Sequence, residues 1–187
     1  MNRDEYSERL VGIQNTLDTI NMEEHKQEFN LKLESYGRIK EILEERNRIA
    51  KEIEGFWETV FLNSEFADIL LGSAGDREDS GECEAYWIDS LRLEFRPNYK
   101  CYVAVVAKEN EYFENTLLEK EFSWFEPGEC KFTQMVWKGK KVMDNTLIRF
   151  FSCEDSSEDD DNMSVFQILY DLYVNAVYYQ MRSEETS

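Results

Sequence analysis

Apolar side chains recur at helical spacing along the first 53 residues, with separations of three or four positions. This spacing is typical of the seam of a coiled coil and predicts a long helix. The seam lapses at 23–28, where Glu-Glu-His-Lys-Gln-Glu offers no apolar residue, and we expect either a register shift or a break between two helices there. The predicted seam consists of Leu10, Ile13, Leu17, Ile20, Phe29, Leu33, Tyr36, Ile39, Leu43 and Ala50.

A helix of this length cannot bury its whole apolar side against one small domain. Roughly 50 residues at about 1.5 Å each make a rod of about 75 Å. A second copy of the same helix is the simplest partner for such a rod. We therefore expect a homodimer formed through residues 6–53. The alternative is a helix that folds back onto its own domain.

The rest of the chain, 54–187, predicts an α+β domain. Gly55–Asn63 is a dense apolar and aromatic run that predicts a buried helix continuing to Gly72. Alternating and β-branched patterns then predict antiparallel strands. The predicted strands cover 91–95, 99–107, 117–125 and 132–137, and a turn at Lys138–Lys141 leads into 142–151. This turn is predicted to be solvated, with a basic localisation or contact patch as the alternative.

A final amphipathic helix is predicted from the spacing of apolar residues between Val165 and Tyr179. Asn162 or Ser164 is the expected N-cap, because both residue types accept hydrogen bonds from free backbone N–H groups. The order of elements is a long helix, a short helix, antiparallel strands and a helix. This order indicates an α+β domain with a helical extension.

Charge is distributed very unevenly between the two parts. Residues 1–53 carry 12 acidic and 9 basic side chains, whereas 54–187 carry 28 acidic and 12 basic side chains, within a total net charge of −19. A near-neutral helix followed by an anionic domain indicates that the helix associates and the domain presents negative charge to a cationic partner. Phosphates and anionic lipids would be repelled, so we expect no direct binding of nucleic acid or membrane.

Composition argues against an enzyme, a metal site and a secreted protein. The four cysteines are 18, 29 and 23 residues apart with no C-x-x-C pair, and His25 is the single histidine, so we expect free thiols, no zinc and no cofactor. No phosphate-binding glycine loop is present, and 40 acids make chance carboxylate pairs common. The N-terminus lacks a signal-peptide pattern, so we expect a soluble intracellular protein.

The segment Glu154–Asp161 holds six carboxylates in eight residues and predicts an acidic loop. It lacks the ligand spacing and central glycine of a calcium-binding EF-hand. It is either a solubilising insertion or an electrostatic arm for a basic partner. Ser156 and Ser157 each have an aspartate three residues on, so both are candidate phosphorylation sites for an acidophilic kinase, with an unmodified polar spacer as the alternative.

Four ordered segments resemble the nucleosome assembly protein family. Ile53–Asn63 resembles its Ile-Pro-x-Phe-Trp…Phe-x-Asn segment, and Asn110–Phe122 its Asn-x-Tyr-Phe-x-Asn…Leu-x-Lys-x-Phe hairpin. Val136–Lys140 is similar to the family's Trp-Lys-x-Gly-Lys turn. Ile168–Tyr179 resembles its final helix, Asp-Leu-Tyr-x-Asn-Ala-Val-x-Tyr-Tyr. The matches cover nearly all of the chain after residue 46.

This resemblance implies a histone chaperone of the nucleus, near the short SET-like branch. It implies a long dimerisation helix and an "earmuff" α+β domain whose concave underside takes histones. An acidic regulator of another enzyme, such as a phosphatase inhibitor or an acetyltransferase cofactor, is the alternative. Glu54 stands in place of the usual proline, and Val174 where many members have proline or a basic residue. The long acidic tail typical of the family is missing, so we expect the earmuff or the acidic loop to replace it.

Histones are rich in lysine and arginine, so their binding surface should be acidic. Residues 108–122 carry five acids against two lysines and match the family's hairpin. Because alternate strand residues point to opposite faces, we expect Glu119 and Glu121 to share one face while Phe122 packs inward. The predicted histone-binding residues are Glu109, Glu111, Glu114, Glu119, Glu121, Glu154, Asp155, Glu158, Asp159, Asp160 and Asp161.

Overall fold

The computed structural model describes residues 3–72, 85–125, 129–139, 143–152 and 159–182, with the backbone alone at 3–5 and 159–161. The four strands form one antiparallel sheet in the order β1-β2-β3-β4, so the α+β class is confirmed. Within the described part of the chain, no helix has the length and apolar character needed to cross a membrane. The elements are α1 (Arg3–Ala50), α2 (Phe56–Asn63), α3 (Ala67–Leu71), β1 (Ile88–Arg96), β2 (Lys100–Ala107), β3 (Leu117–Ser123), β4 (Lys131–Phe132), α4 (Thr146–Ser152), α5 (Asp159–Val174) and α6 (Ala176–Met181).

Helix α1 is uninterrupted through 23–28. Of the two predicted alternatives, the break between two helices is therefore wrong and the register shift is confirmed. The apolar seam changes side along the helix. Ile20 and Phe29 are nine residues apart, which at about 100° per residue places them about 180° apart around the axis. The residues before this point and those after it therefore face opposite directions.

After the shift, the predicted seam packs against the chain's own domain. Phe29 is 1% exposed, and its ring lies edge-on to Phe95, Tyr99 and Trp124 at centroid distances of 5.7, 5.4 and 5.4 Å. The prediction of a dimer contact for this half of the seam was wrong, because helical spacing shows which side is apolar and not what covers it. We call this side the inner stripe. Its buried members are Phe29, Tyr36, Leu43 and Ala50, and its partly buried members are Leu33 and Ile39.

A second apolar side of α1 faces away from the domain, and we call it the outer stripe. Its side chains are between 48 and 68% exposed in the single chain. Ile20, Leu31 and Ile42 are spaced by eleven residues, which returns the side chain to within about 20° of the same direction. The outer stripe consists of Leu10, Ile13, Leu17, Ile20, Leu31, Ile42 and Ile49.

Arg46 ties the end of α1 to the domain. Its guanidinium lies 5.3 Å from the ring centroid of Trp57 and 4.9 Å from that of Tyr173, and Nη1 donates to the Tyr173 carbonyl at 2.6 Å. Asn47 donates from Nδ2 to the Tyr173 hydroxyl at 2.9 Å. Burial lowers the pKa of Arg46. One cation held between two aromatic rings therefore joins α1 to α2 and α5.

The junction after α1 turns sharply without a proline. Gly55 precedes α2 with φ of 69°, a left-handed conformation that glycine adopts without a Cβ clash. Glu54 in place of the family's proline therefore leaves the end of the helix intact. The run to Gly72, predicted as one helix, is two helices, because Ser64 takes an extended conformation after Asn63.

The β1–β2 hairpin is confirmed, with Arg96 paired to Lys100 across its turn. Asn98 and Tyr99 have φ of 62° and 56°. A left-handed conformation is unfavourable for a bulky residue such as tyrosine. The Tyr99 ring packs against Phe29 at 5.4 Å and Phe125 at 4.9 Å, and these contacts offset the backbone cost.

Two predicted strands were wrong in extent or in type. The strand expected at 132–137 is limited to β4, followed by an isolated bridge between Phe113 and Trp137. The segment expected to continue the strands at 142–151 contains the helix α4. Asn145 precedes this helix, and its Oδ1 accepts a hydrogen bond from the Ile148 N–H at 2.8 Å. That contact is typical of an N-cap and explains why the apolar run is helical.

The C-terminal helix also differs from its prediction at both ends. It begins at Asp159 and not at Asn162 or Ser164. Acidic residues suit this first turn, because the N-terminal end of a helix carries partial positive charge. The helix stops at Val174, and α6 resumes after Asn175.

Candidate functional site

The acidic loop between β2 and β3, residues 108–116, is shaped by one asparagine. Oδ1 of Asn110 accepts hydrogen bonds from the backbone N–H groups of Tyr112 and Phe113, both at 3.0 Å. Its Nδ2 donates to the Lys108 carbonyl at 3.0 Å. Asparagine favours such local turns because its short side chain can replace a backbone partner. The turn places Tyr112 and Phe113 in the core.

A second segment, residues 134–138, fixes the other side of this loop. The Glu114 N–H donates to the Val136 carbonyl at 2.8 Å, and Asn115 bonds both the Gln134 carbonyl and the Val136 N–H. Nζ of Lys138 donates to the Asn110 carbonyl at 2.7 Å. Lys138 therefore supports the loop, and the prediction of a purely solvated turn was wrong at this residue. Lys140 and Lys141 lie outside the described residues.

Three of the predicted histone-binding acids point outward from this loop. Glu109, Glu111 and Glu114 are exposed, while the residues between them supply the core contacts. Among the described residues, neither Glu109 nor Glu114 forms an ion pair with a cationic side chain. The loop thus carries exposed negative charge on a backbone that side-chain hydrogen bonds hold in place.

Glu119 and Glu121 lie on the same face of β3, as the alternation predicts, and Phe122 is buried on the other side. Of the two, only Glu121 pairs with cationic side chains among the described residues. Glu121 pairs with Arg96 at 2.7 Å and Lys100 at 3.4 Å, and the hydrogen bond from Arg96 lowers the pKa of this carboxyl. Glu119 accepts a hydrogen bond from the Tyr102 hydroxyl. Burial and this bond raise the pKa of Tyr102 to about 12.

The same open face of the sheet carries an ion-pair network that the sequence analysis missed. The carboxylate of Glu94 is buried and lies between Arg92 and Arg96. Burial opposes its ionisation, but the hydrogen bond from Arg96 and the two positive charges outweigh burial and lower the pKa of Glu94. Charges at every second residue of a predicted strand were the available signal. This face alternates in sign and is not a simple acidic surface.

Lys120 points into the core between Leu118 and Phe122. The sequence alone did not predict a role for this lysine. It is 1% exposed and donates from Nζ to the Phe150 carbonyl at 2.7 Å and to Oδ1 of Asn162 at 2.6 Å. The middle of the Leu-x-Lys-x-Phe motif is therefore a structural cation that holds α4 and α5 to the sheet. Asn162 bonds this lysine within the first turn of α5, which accounts for the misplaced N-cap.

The acidic loop predicted at 154–161 is described only in part. Glu154, Asp155, Ser156, Ser157 and Glu158 lie outside the described residues, whereas the backbone of Asp159, Asp160 and Asp161 forms the first turn of α5. This end of the predicted loop is therefore helical.

Cys101 is buried as a free thiol, and burial raises its pKa. Among the described residues, no group of three or more His, Cys, Asp or Glu side chains converges to hold a metal ion.

Sequence comparison identifies relatives over most of the chain. An uncharacterised protein of Encephalitozoon cuniculi is 26% identical over 179 residues, which is 95% of this chain and 93% of that protein. Protein SET of Drosophila melanogaster is 32% identical over 133 residues, 65% of this chain and 45% of that protein. NAP1-related protein 1 of Arabidopsis thaliana is 29% identical over 143 residues, 74% of this chain and 53% of that protein. The chain thus spans about half the length of the latter two relatives. No family model matches it.

Solved structures share the fold. Nucleosome assembly protein S from Plasmodium falciparum superimposes with a TM-score of 0.56 at 17% identity, covering 93% of this chain and 99% of that chain. The Vps75 histone chaperone gives a TM-score of 0.57 at 15% identity, covering 97% of this chain and 99% of that chain. The long helix and the four-stranded antiparallel sheet with packed helices are therefore the fold of nucleosome assembly proteins. In sequence as well as in fold, the chain is therefore similar to nucleosome assembly proteins and to their SET-like members.

Proposed function

We propose that this chain is a histone chaperone, which binds basic core histones on an acidic surface and delivers them to DNA for nucleosome assembly or disassembly. The observation that carries the proposal is the set of exposed carboxylates on the 108–116 loop, in a fold shared with the Vps75 histone chaperone. Such a surface shields histones from non-specific association. Exposed charges attract moderately and are weakened by salt, so DNA can still take the histone. No covalent chemistry is part of this function.

Within the surface, we rank the acids by how far their charges are already compensated. Glu109 and Glu114 come first, because neither pairs with a cationic side chain of the described residues and both are exposed on a fixed backbone that needs little ordering when a histone binds. Glu111 is exposed on the same loop. Glu119 comes second, because the neutral Tyr102 hydroxyl already donates a hydrogen bond to it. Glu121 comes last, because Arg96 and Lys100 already compensate its charge. The acidic segment 154–161 supplies further charge for the same partner. We place the protein in the nucleus, where histones act.

Binding to purified core histones tests the proposal. At about 150 mM salt the full chain should bind histones, affinity should fall steeply as salt is raised, and added DNA should release them. Titration calorimetry with each of the two kinds of core histone pair measures affinity and preference. Lysozyme, a basic protein that is not a histone, serves as the control ligand. Failure to bind either histone pair would refute the proposal and favour an acidic regulator of another enzyme.

We further propose that the chain acts as a homodimer through the outer stripe of α1. An exposed apolar side of this length on a single chain is typical of an association surface. Replacing Leu17 and Leu31 with aspartate should convert the dimer to monomers in light scattering at micromolar concentration. The domain should stay folded, because neither side chain contacts it.

The matched control for this pair replaces Asn15 and Asn30 with aspartate. These changes add the same charge to α1 at positions away from the outer stripe. This control should remain dimeric. A wild-type chain that is monomeric at micromolar concentration would contradict the proposed interface.

A further inference from the structure

An aromatic cavity lies at the end of the sheet opposite to the 108–116 loop. It has a volume of about 340 Å³ and is bordered by α1, β1, the residue after β3, and α5. Phe95 and Phe166 are buried within it, whereas Trp124 and Tyr170 are half-buried. The strand β3 separates it from the loop by seven residues, about 20 Å at the usual strand rise. The cavity is therefore separate from the acids of the 108–116 loop.

Rigid contacts hold the aromatic rings of this cavity in place. Phe95 contacts Trp124 at a centroid distance of 6.1 Å and Tyr170 at 5.3 Å. The backbone N–H of Trp124 donates to the Tyr99 carbonyl at 2.7 Å, and this bond fixes the backbone of the tryptophan. The cavity is thus preformed, and a ligand would meet little ordering cost.

A cation of the chain itself already lies at this cavity. Nζ of Lys32 is 5.9 Å from the Trp124 ring centroid, within the range of cation–π attraction. The same ammonium pairs with Glu28 at 3.5 Å, and its side chain is 39% exposed. Lys32 therefore shows the kind of group that the rings accept, and it can move away along the helix surface.

Asp171 gives the cavity its charge. Its Oδ1 accepts from Asn175 at 2.8 Å and its Oδ2 from the Tyr179 hydroxyl at 2.7 Å, and both donors are neutral. Among the described residues, no cationic side chain forms an ion pair with Asp171. An apolar ligand would strip water from this carboxylate without replacing it, whereas an ammonium would pair with it. An anionic ligand would be repelled.

We propose that this cavity binds one lysine side chain of a basic partner, with the ammonium over Trp124 and near Asp171 in place of Lys32. The inference rests on the proposed histone binding, since it assigns one residue type of that partner to a second site. A basic segment crossing from the 108–116 loop would need to span about 20 Å, or about six extended residues.

Removing Lys32 tests the exchange of cations. Lys32→Ala and Lys40→Ala each delete one positive charge from α1, and the two side chains are similarly exposed, at 39 and 45%. The ligand is a nine-residue peptide with three lysines, and fluorescence titration gives its Kd. Lys32→Ala should raise affinity about threefold more than Lys40→Ala, because it also vacates the cavity. Equal gains for the two variants would overturn the proposal.

Removing Trp124 or Asp171, the groups that would hold the ligand, should lower the affinity for the lysine peptide. Trp124→Leu and Asp171→Asn should each weaken the lysine peptide about three- to fivefold. Asp68→Asn, which removes an exposed charge elsewhere, should change affinity less than twofold. Urea denaturation checks that each variant is folded. If Trp124→Leu is unfolded, the Asp171→Asn and Lys32→Ala variants alone test the cavity proposal.

A change in the peptide tests whether binding requires the positive charge of lysine. Replacing its lysines with norleucine keeps the carbon chain and removes the charge, so binding should be lost. A norleucine peptide that binds as tightly as the lysine peptide would show an apolar docking site and refute the proposal. The cavity proposal fails alone if wild-type protein binds core histones, Lys32→Ala and Asp171→Asn match their controls, and Trp124→Leu binds the peptide like wild type. If wild type binds no histone, the proposed function fails.

Discussion

Replacing Glu109, Glu111 and Glu114 together with lysine should lower the affinity for core histones roughly 100-fold. Each reversal loses an attraction and adds a repulsion, about 1 kcal/mol per site for exposed charges. Three sites therefore sum to about 3 kcal/mol, and every 1.4 kcal/mol is about tenfold. The same variant should show a flatter dependence of affinity on salt, because fewer charges take part. Calorimetry across a salt series measures both effects.

The control for this triple variant carries the same change in net charge at Glu8, Glu23 and Glu41. All three are exposed on α1 and lie off both of its stripes. Their reversal should weaken binding several-fold at low salt through long-range repulsion alone. Identical losses for the two triple variants would mean that histones respond to total charge, and the assignment of the surface to the 108–116 loop would then be wrong.

Truncation of Phe29 to alanine should lower the free energy of unfolding by about 3–5 kcal/mol, the usual cost of removing a buried phenylalanine. The ring lies between Phe95, Tyr99 and Trp124, so its loss leaves a cavity that three rigid neighbours cannot fill. Urea denaturation followed by circular dichroism measures the change.

Asn30→Ala is the matched control for Phe29, since the neighbouring side chain is exposed on the same helix. It should change stability by less than about 0.5 kcal/mol. A Phe29→Ala protein as stable as this control would show that α1 does not depend on the domain for its packing, and the distinction between the two stripes would fail.

Much of the fold could be predicted because its signals are local. The spacing along α1, the alternation in β1 to β3 and the turn at Pro97-Asn98 each depend on neighbours in sequence. The apolar run 147–151 was wrongly predicted as a strand, because the pattern of a short apolar segment does not distinguish a strand from a buried helix. Asn145 as an N-cap was the missed signal.

The candidate site was harder to predict, because charge compensation depends on contacts across the sheet. Glu121 looks like any other acid in sequence, and its partner Arg96 lies 25 residues away. The same holds for the inner stripe, whose cover comes from Phe95 and Trp124. Sequence identified which side chains are acidic or apolar. It could not show which of them the fold had already paired.

The single helix α1 also fixes a rotational phase between whatever covers its outer stripe and the domain on its inner stripe. Inserting one residue at 21–28 would turn the part of the outer stripe that precedes it, Leu10 to Ile20, about 100° away from the part that follows it, Leu31 to Ile49. An insertion of eleven residues would turn the first part only about 20° while adding about 16 Å of length. A helix of this kind can thus be lengthened by eleven residues and keep one continuous outer stripe, whereas a single inserted residue would divide that stripe into two.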